Sequence, residues 1–283
     1  MNGLGRRIRT ETPYVLFTVP ALFFVAVFLF YPLAAGVRIA FLDWDGFSQS
    51  ANFVGLDNFK RIFRDISLTR DLRNTLLFTL LETFFCNIFG LLMALMFKRS
   101  CKLNGLLKTL VFMPFVISLV LSSYMIQNML YELCSWLNIT NPLAVPKLVI
   151  PGISMIAIWR DSGYCMVIYV AALLSVDESM YEAATIEGAG KWKKFSRITL
   201  PLIMPAITAN ITLLLSWGLK LFDYSITTVR GDASESINIY VYKLIFPGYR
   251  AGYGQAVALA WLIVVFLLTN FLSKLLRSRE VEI

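Results

Sequence analysis

Long apolar runs separated by short polar segments dominate the chain. Six of them reach about 20 residues, the length that a helix needs to cross the hydrocarbon core of a bilayer. They lie near residues 14–37, 75–97, 106–131, 149–175, 201–223 and 254–274. The pattern predicts an all-α membrane protein with six transmembrane helices. Because every segment between the runs is short, we expect one membrane domain over 14–283, preceded by a polar segment at 1–13.

The polar segment at 176–200, between the fourth and fifth runs, has strong internal order. Ser175 stands three residues before Glu178, the spacing of a residue that caps the start of a helix. Gly188 is a poor residue for the middle of a helix, so we expect the helix to end or bend there. Residues 191–199 can form a second short helix. The segment therefore predicts a helix, a glycine break, a second helix and then the entry to the next span.

The composition excludes several classes of protein. Of the 283 residues 58% are hydrophobic, and the mean hydropathy is +0.68, whereas soluble domains are about 45–50% apolar. There is no histidine, and the four cysteines form no CxxC pair, so we expect no histidine-based catalysis, zinc ribbon or disulfide framework. No phosphate-binding P-loop motif is present, and no cofactor is predicted. The net charge of +8 is spread over the span ends, as membrane proteins place it, and indicates no nucleic-acid partner.

The distribution of Lys and Arg predicts the orientation in the membrane. Six spans place both termini on one side, together with the segment at 176–200, and this side carries fourteen basic residues against ten. Six of the ten lie in the loop at 38–73, where residues 56–65 show the pattern of an amphipathic interfacial helix. By the positive-inside rule, both termini and the 176–200 segment are expected in the cytoplasm.

The ordered segment also resembles a known family. Its residues match the "EAA" loop of importer-type ABC permeases at Glu182, Ala183, Ala184, Gly188, Phe195, Ile198, Leu200, Pro201 and Pro205. The resemblance implies a type I ABC importer permease fold, in which this loop is the coupling helix that docks into a cleft on the cytoplasmic ATPase. The residues that it implies for this contact are Glu182, Ala183, Ala184 and Gly188.

The resemblance further implies a function and a set of partners. The chain would be a permease subunit in the cytoplasmic membrane of a bacterium, translocating a sugar or oligosaccharide that an extracytoplasmic solute-binding protein delivers. It would pair with a second, homologous permease subunit and with two ATPase subunits, all within the lipid bilayer or on its surfaces. ATP hydrolysis would reside in the ATPase subunits, so the chain itself is not expected to be an enzyme.

Two aromatic residues are predicted to lie near the middle of the membrane. With a helical rise of 1.5 Å per residue, Tyr164 lies roughly 18 Å and Trp217 roughly 24 Å from the cytoplasmic ends of their runs. Rings at this depth can contact a sugar, and packing in the protein interior is the alternative. Similarity to a maltose-type permease implies a substrate path formed by Tyr164, Trp217, Gly218, Leu221 and Asp223. Gly218 and Leu221 replace amides of that permease, so the sugar or its mode of binding differs.

Ionisable residues inside the runs leave alternatives open. An ion-coupled secondary transporter would use Glu82, Arg160, Asp161 and Asp223 as a relay. The neighbouring Arg160 and Asp161 can equally form a neutral interior pair. A polyol or glycerol-phosphate importer would need cations for the phosphate, and the runs offer Arg160 and Lys220. A membrane-embedded enzyme would need a nucleophile motif or a metal-binding cluster, and this sequence contains neither.

Overall fold

The computed structural model describes residues 17–98, 101–228 and 231–280, and the predicted segment at 1–13 lies outside these ranges. The helices are α1 (Phe17–Ala40), α2 (Asp57–Ile62), α3 (Ile66–Phe97), α4 (Lys102–Val116), α5 (Leu119–Trp136), α6 (Val149–Leu174), α7 (Glu178–Ile186), α8 (Lys191–Leu202), α9 (Met204–Gly218), α10 (Asp223–Thr228), α11 (Ile237–Ile245) and α12 (Ala251–Arg277). Two strands, β1 (Leu42–Asp43) and β2 (Asn52–Phe53), and two 3₁₀ turns, Pro142–Ala144 and Asp232–Ser234, complete the described elements.

Four helices are long and apolar enough to cross a membrane by themselves, namely α1, α3, α6 and α12. Two bent pairs add to them: α4 and α5 meet at 106°, and α8 and α9 meet at 63°. When each bent pair is counted as one span, the described residues hold six spans, in agreement with the number predicted from the apolar runs.

The third and fifth runs are each interrupted by a break that the hydropathy pattern did not predict. Pro114 cannot donate a hydrogen bond to the preceding turn, and α4 ends two residues later, with Ile117 in an extended conformation. The fifth run was predicted to be helical to residue 223, whereas α9 ends at Gly218 and α10 starts at Asp223. Hydropathy did not detect these breaks, because the runs remain apolar on average even though the second break contains Lys220 and is followed by Asp223.

Smaller differences concern the helix boundaries. Ser175 does not cap α7: it terminates α6, and the Asp177 carboxylate accepts a hydrogen bond of 3.0 Å from the Ser179 N–H at the start of α7. Asp and Ser are comparable helix-capping residues, so the sequence was compatible with either Ser175 or Asp177 as the cap of α7. The interfacial helix expected at 56–65 is shorter, because α2 covers only Asp57–Ile62.

The described residues 17–65 and 241–261 form one compact unit. In its described part β1 and β2 pair antiparallel, with Leu42 opposite Phe53. The buried Asn58 amide donates to the backbone carbonyls of Ala40 and Leu42, at 3.0 and 2.9 Å. These hydrogen bonds fix the loop after α1, because they satisfy carbonyl groups at the point where the helix ends.

The described residues among 66–240 and 262–280 form the second compact unit. Its centre is α6, which packs along α3, and α9 packs on the same helix α3. The close approach of α3 and α6 depends on Gly90, where a Cβ atom would lie 2.5 Å from the Cβ of Cys165. Small residues at such positions let the backbones of membrane helices come together. Cys86 and Cys165 are buried in this core, as expected for small apolar side chains.

Candidate functional site

A cavity of about 340 Å³ lies in the second unit, where the two broken helices meet α3 and α6. Phe78 and Glu82 of α3 line one wall, and Arg160 and Asp161 of α6 line another. The remaining lining residues come from the two breaks and are Phe115, Leu119, Trp217, Lys220, Leu221, Phe222, Asp223 and Tyr224. The cavity therefore lies where helical hydrogen bonding is interrupted.

The break between α4 and α5 exposes carbonyl groups that have no partner within the helix. The Ser122 hydroxyl donates to the Pro114 carbonyl at 3.1 Å, and the Arg160 guanidinium donates to the Phe115 carbonyl at 3.0 Å. The same guanidinium lies over the Phe115 ring, 4.8 Å from its centroid. Since unsatisfied backbone groups are costly inside a membrane, these donors stabilise the break.

The break between α9 and α10 is satisfied in the same way. The buried Ser236 hydroxyl donates to the Leu221 carbonyl at 2.5 Å. The Tyr224 hydroxyl donates to the Asp161 carboxylate at 2.5 Å, and the Gln127 amide of α5 donates to the Thr228 carbonyl of α10 at 2.7 Å. Contacts from α5 and α6 thus hold the second break.

Charged groups of α3 and α6 form a cluster at the wall of the cavity. Arg160 and Asp161 form an ion pair at 2.6 Å, with both side chains largely buried. Glu82 is 1% exposed and lines the same cavity as Asp161. The cluster thus joins two acids to one guanidinium.

Gly218 makes room for this cluster. A Cβ atom at Gly218 would lie 2.8 Å from Oε2 of Glu82 and 2.9 Å from Cα of Thr79. That Glu82 oxygen accepts no hydrogen bond from the described residues. The absence of a side chain at Gly218 thus permits α9 to approach α3 at the level of the buried carboxyl group.

Three aromatic rings pack together beside the cavity. The centroid of Phe115 lies 4.9 Å from that of Tyr164 and 6.1 Å from that of Trp217, and the Tyr164 and Trp217 centroids are 5.2 Å apart. Phe115 and Trp217 line the cavity, and Tyr164 packs against both. Trp217 is 38% exposed, so part of its surface is available to a ligand.

The five residues predicted for a substrate path differ in their positions relative to this cavity. Trp217, Leu221 and Asp223 line it, whereas Tyr164 packs behind the rings and Gly218 faces Glu82. The sequence analysis missed Phe115 and Tyr224. Pro114 inside an apolar run was a signal that the backbone and the following residue line a cavity, whereas no local signal distinguished Tyr224.

The segment at 176–200 has the geometry expected for a helix with a glycine end. Gly188 has φ +75°, in the left-handed region. Its N–H donates to the Thr185 carbonyl at 3.0 Å, and the Ala189 N–H donates to the Ala184 carbonyl at 2.9 Å. These two bonds form a Schellman motif, which favours glycine because other residues strain at this φ. The predicted end of α7 at Gly188 is confirmed.

The outer surface of α7 is available for contacts. Glu182, Ala183 and Gly188 are exposed and Ala184 is half-buried. Among the described residues, no atom would lie within 4 Å of a Cβ placed at Gly188. At the start of the helix, the Ser179 N–H that donates to the Asp177 carboxylate holds the pKa of Asp177 below its ordinary value. The helix therefore carries a fixed negative charge at its N-terminus, where its dipole favours one.

Comparisons with known proteins cover nearly the whole chain. A family model described as "Binding-protein-dependent transport system inner membrane component" matches residues 87–281. A probable ABC transporter permease protein of Pyrococcus horikoshii is 30% identical over 264 residues, 88% of this chain and 90% of that protein. The probable starch degradation products transport system permease protein AmyD of Thermoanaerobacterium thermosulfurigenes is 27% identical, over 95% of each chain.

A solved structure is also similar to this chain. The crystal structure of a bacterial ABC transporter involved in the import of the acidic polysaccharide alginate contains a chain with a TM-score of 0.83 and 24% identity. The match covers 97% of this chain and 98% of that one. At this level of identity the superposition shows a shared fold, and it extends far beyond the Glu-Ala-Ala segment.

The ion pair at the cavity can be tested by its effect on stability. Arg160→Met should destabilise the protein by roughly 3–5 kcal/mol, because it leaves a buried carboxylate and a helix-end carbonyl without their donor. Arg160→Met combined with Asp161→Asn should recover part of this loss, since the neutral amide no longer needs a cation. Thermal unfolding of the detergent-solubilised protein measures both effects.

Lys60→Met provides the control, because it breaks the exposed ion pair with Asp57 and should change stability by no more than about 1 kcal/mol. Equal unfolding temperatures for the wild type, the single variant and the double variant would show that the pair contributes nothing to the fold.

Proposed function

Because the chain belongs to the family of binding-protein-dependent transport system inner membrane components, we propose that it is the permease subunit of a bacterial ATP-driven importer for a sugar or oligosaccharide. The observation that carries the substrate class is the cavity at the two helix breaks, with an exposed Trp217 face beside hydrogen-bonding side chains. The relatives named for starch degradation products and for alginate support the same class.

The lining of the cavity suits a sugar. A sugar offers an apolar ring face and several hydroxyl groups, and sites for such ligands combine apolar or aromatic surface with a few polar groups. Trp217 and Phe115 supply the aromatic surface, and Asp223 and Lys220 supply exposed polar groups. Tyr164 supports the two rings from behind, and Leu221 adds apolar surface.

The alternatives have less support. A glycerol-phosphate importer needs cations that can pair with the phosphate, but Arg160 already donates to Asp161 and to the Phe115 carbonyl, which leaves only Lys220 among the lining residues of the cavity. An ion-coupled secondary transporter needs no solute-binding protein, whereas the family is defined by dependence on one. We therefore assign no ion relay to Glu82 and its neighbours, and a neutral polyol remains compatible with the cavity.

The proposed assembly gives each surface of the chain a partner. The permease pairs with a second, homologous permease subunit, and an extracytoplasmic solute-binding protein delivers the sugar. Two ATPase subunits bind at the cytoplasmic segment 176–200, where Glu182, Ala183, Ala184 and Gly188 form the contact. ATP hydrolysis takes place in those subunits, and the free-energy difference between the inward- and outward-open states comes from ATP.

The proposed topology has one membrane domain over 14–283 in the bacterial cytoplasmic membrane, with both termini in the cytoplasm. A cysteine placed at Lys193 in a background without Cys86, Cys101, Cys134 and Cys165 should not react with an impermeant maleimide in intact cells. Phe63→Cys, in the loop predicted to be external and strongly exposed, should react. External labelling at 193 would reverse the orientation.

The substrate path can be tested by truncating its aromatic residues. Trp217→Ala or Tyr164→Ala should reduce the uptake of radiolabelled maltotriose about tenfold, the effect of losing about 1.4 kcal/mol of binding. Trp136→Ala, which removes an exposed indole remote from the cavity lining, should leave uptake unchanged. Co-purification with the ATPase should be normal in all three variants. Wild-type uptake by both cavity variants would leave only a packing role for these rings.

The proposed coupling segment predicts an effect of changes at Gly188 and Glu182. Gly188→Val should weaken ATPase binding or uncouple hydrolysis from uptake, because a β-branched residue at φ +75° is strained by about 1 kcal/mol or more. Glu182→Lys should have the same effect, because it reverses the charge at the proposed ATPase contact. Membrane insertion should persist, since neither change lies in a span. Co-purification, ATP turnover and uptake are the measurements.

Gly188→Asn separates strain from contact, because asparagine tolerates the left-handed region but adds a side chain. Recovery with asparagine indicates that backbone strain dominates, and failure indicates close contact with the ATPase. Gly190→Ala, at φ −69° with open space around it, serves as the neutral control. Full ATPase binding and uptake by Gly188→Val and Glu182→Lys would contradict the assignment.

A further inference from the structure

Tyr181 connects α7 to two membrane spans. Its hydroxyl lies 2.9 Å from the Thr199 hydroxyl, within hydrogen-bonding distance. The Lys98 ammonium lies over its ring, 4.6 Å from the centroid. One side chain therefore joins α7 to a residue directly after α3 and to Thr199, which lies in α8 close to the bend between α8 and α9.

Both spans lead to the cavity. Helix α3 ends at Phe97, next to Lys98, and carries Glu82 about 24 Å further along its axis at 1.5 Å per residue. In the other span, Thr199 lies near the end of α8, and α9 reaches the cavity at Trp217. A displacement of Tyr181 is thus applied to one end of α3 and to α8, both of which lead to residues that line the cavity.

The local structure around Thr199 makes this contact suited to transmission. Thr199 closes a π-helical turn, Phe195–Thr199, within α8, and the helix axis bends by 63° where α8 meets α9. Such π turns are frequent at functional sites. The Lys194 ammonium donates to the Thr185 hydroxyl, so a second side-chain contact joins α7 to α8, five residues before Thr199.

We propose that Tyr181 is a positioning residue for coupling, which transmits the movement of the docked α7 to the two cavity-lining helices through its hydroxyl and its ring. The proposal rests on the proposed function, because it presupposes that an ATPase moves α7. Tyr181 contacts neither sugar nor ATP in this mechanism. It sets the position of α7 relative to α3 and α8.

The test uses the assembled complex of both permeases and the ATPases, reconstituted with the solute-binding protein loaded with maltotriose. Tyr181→Ala should leave assembly and basal ATP turnover intact and reduce sugar transported per ATP about fivefold, which corresponds to about 1 kcal/mol. Tyr124→Ala, which truncates an exposed tyrosine of α5, is the matched control and should behave as the wild type.

Separate variants distinguish the two contacts. Tyr181→Phe removes the hydroxyl and keeps the ring, Lys98→Met removes the cation, and Thr199→Val removes the second hydroxyl. Each should lower the sugar transported per ATP by less than Tyr181→Ala does. The double variant Tyr181→Phe with Thr199→Val should match the single variants, because the same hydrogen bond is lost in each.

A second readout does not depend on the sugar. A cysteine replacing Lys220 at the cavity, in the cysteine-free background, should change its labelling rate when the ATPases are trapped with ATP and vanadate. Tyr181→Ala should abolish this change. If the change is transmitted but maltotriose does not stimulate the wild type, the proposed substrate fails and the role of Tyr181 stands.

The role of Tyr181 would be overturned if Tyr181→Ala showed the same change in labelling rate as the wild type and transported the same amount of sugar per ATP. If Tyr181→Ala does not assemble, Tyr181→Phe and Lys98→Met decide the question. Wild-type sugar per ATP and labelling changes in both of these would then overturn it, and a loss in either would support it.

Discussion

The ion pair of Arg160 and Asp161 is the interaction on which the arrangement of the cavity depends. A helix that breaks inside a membrane leaves carbonyl groups without donors, and no water in the hydrocarbon core can satisfy them. Arg160 donates to the carbonyl at one break, and Asp161 accepts from Tyr224 beside the other. Because the two residues are neighbours on α6, a single helix holds both interruptions in register.

The shape of the cavity follows from this constraint. Since α6 holds the breaks and α3 packs along α6, the residues at the breaks face a common space with Phe78 and Glu82. Gly218 completes the arrangement, because any side chain there would collide with Glu82. The aromatic surface that suits a sugar thus lies beside the polar groups that satisfy the backbone, so mutations of either set are expected to affect the other.

The proposed coupling segment and the proposed substrate cavity are built from different kinds of structure. The cavity is built from buried groups in long helices, whereas α7 is a short helix with fixed ends, capped by Asp177 and closed by the Schellman motif at Gly188. Defined ends allow a short helix to move as one body. Tyr181 then matters because its two contacts connect this body to the helices of the core.

The sequence by itself determined the membrane class, the number of spans and the helix ending at Gly188. These features depend on local properties, namely hydropathy, periodicity and the backbone preference of glycine. Only the tertiary structure revealed the breaks after Pro114 and Gly218, the partners of Arg160 and Asp161, and the place of Phe115 and Tyr224. A break is stable only where donors from residues distant in the chain reach its carbonyl groups, and hydropathy carries no information about those donors.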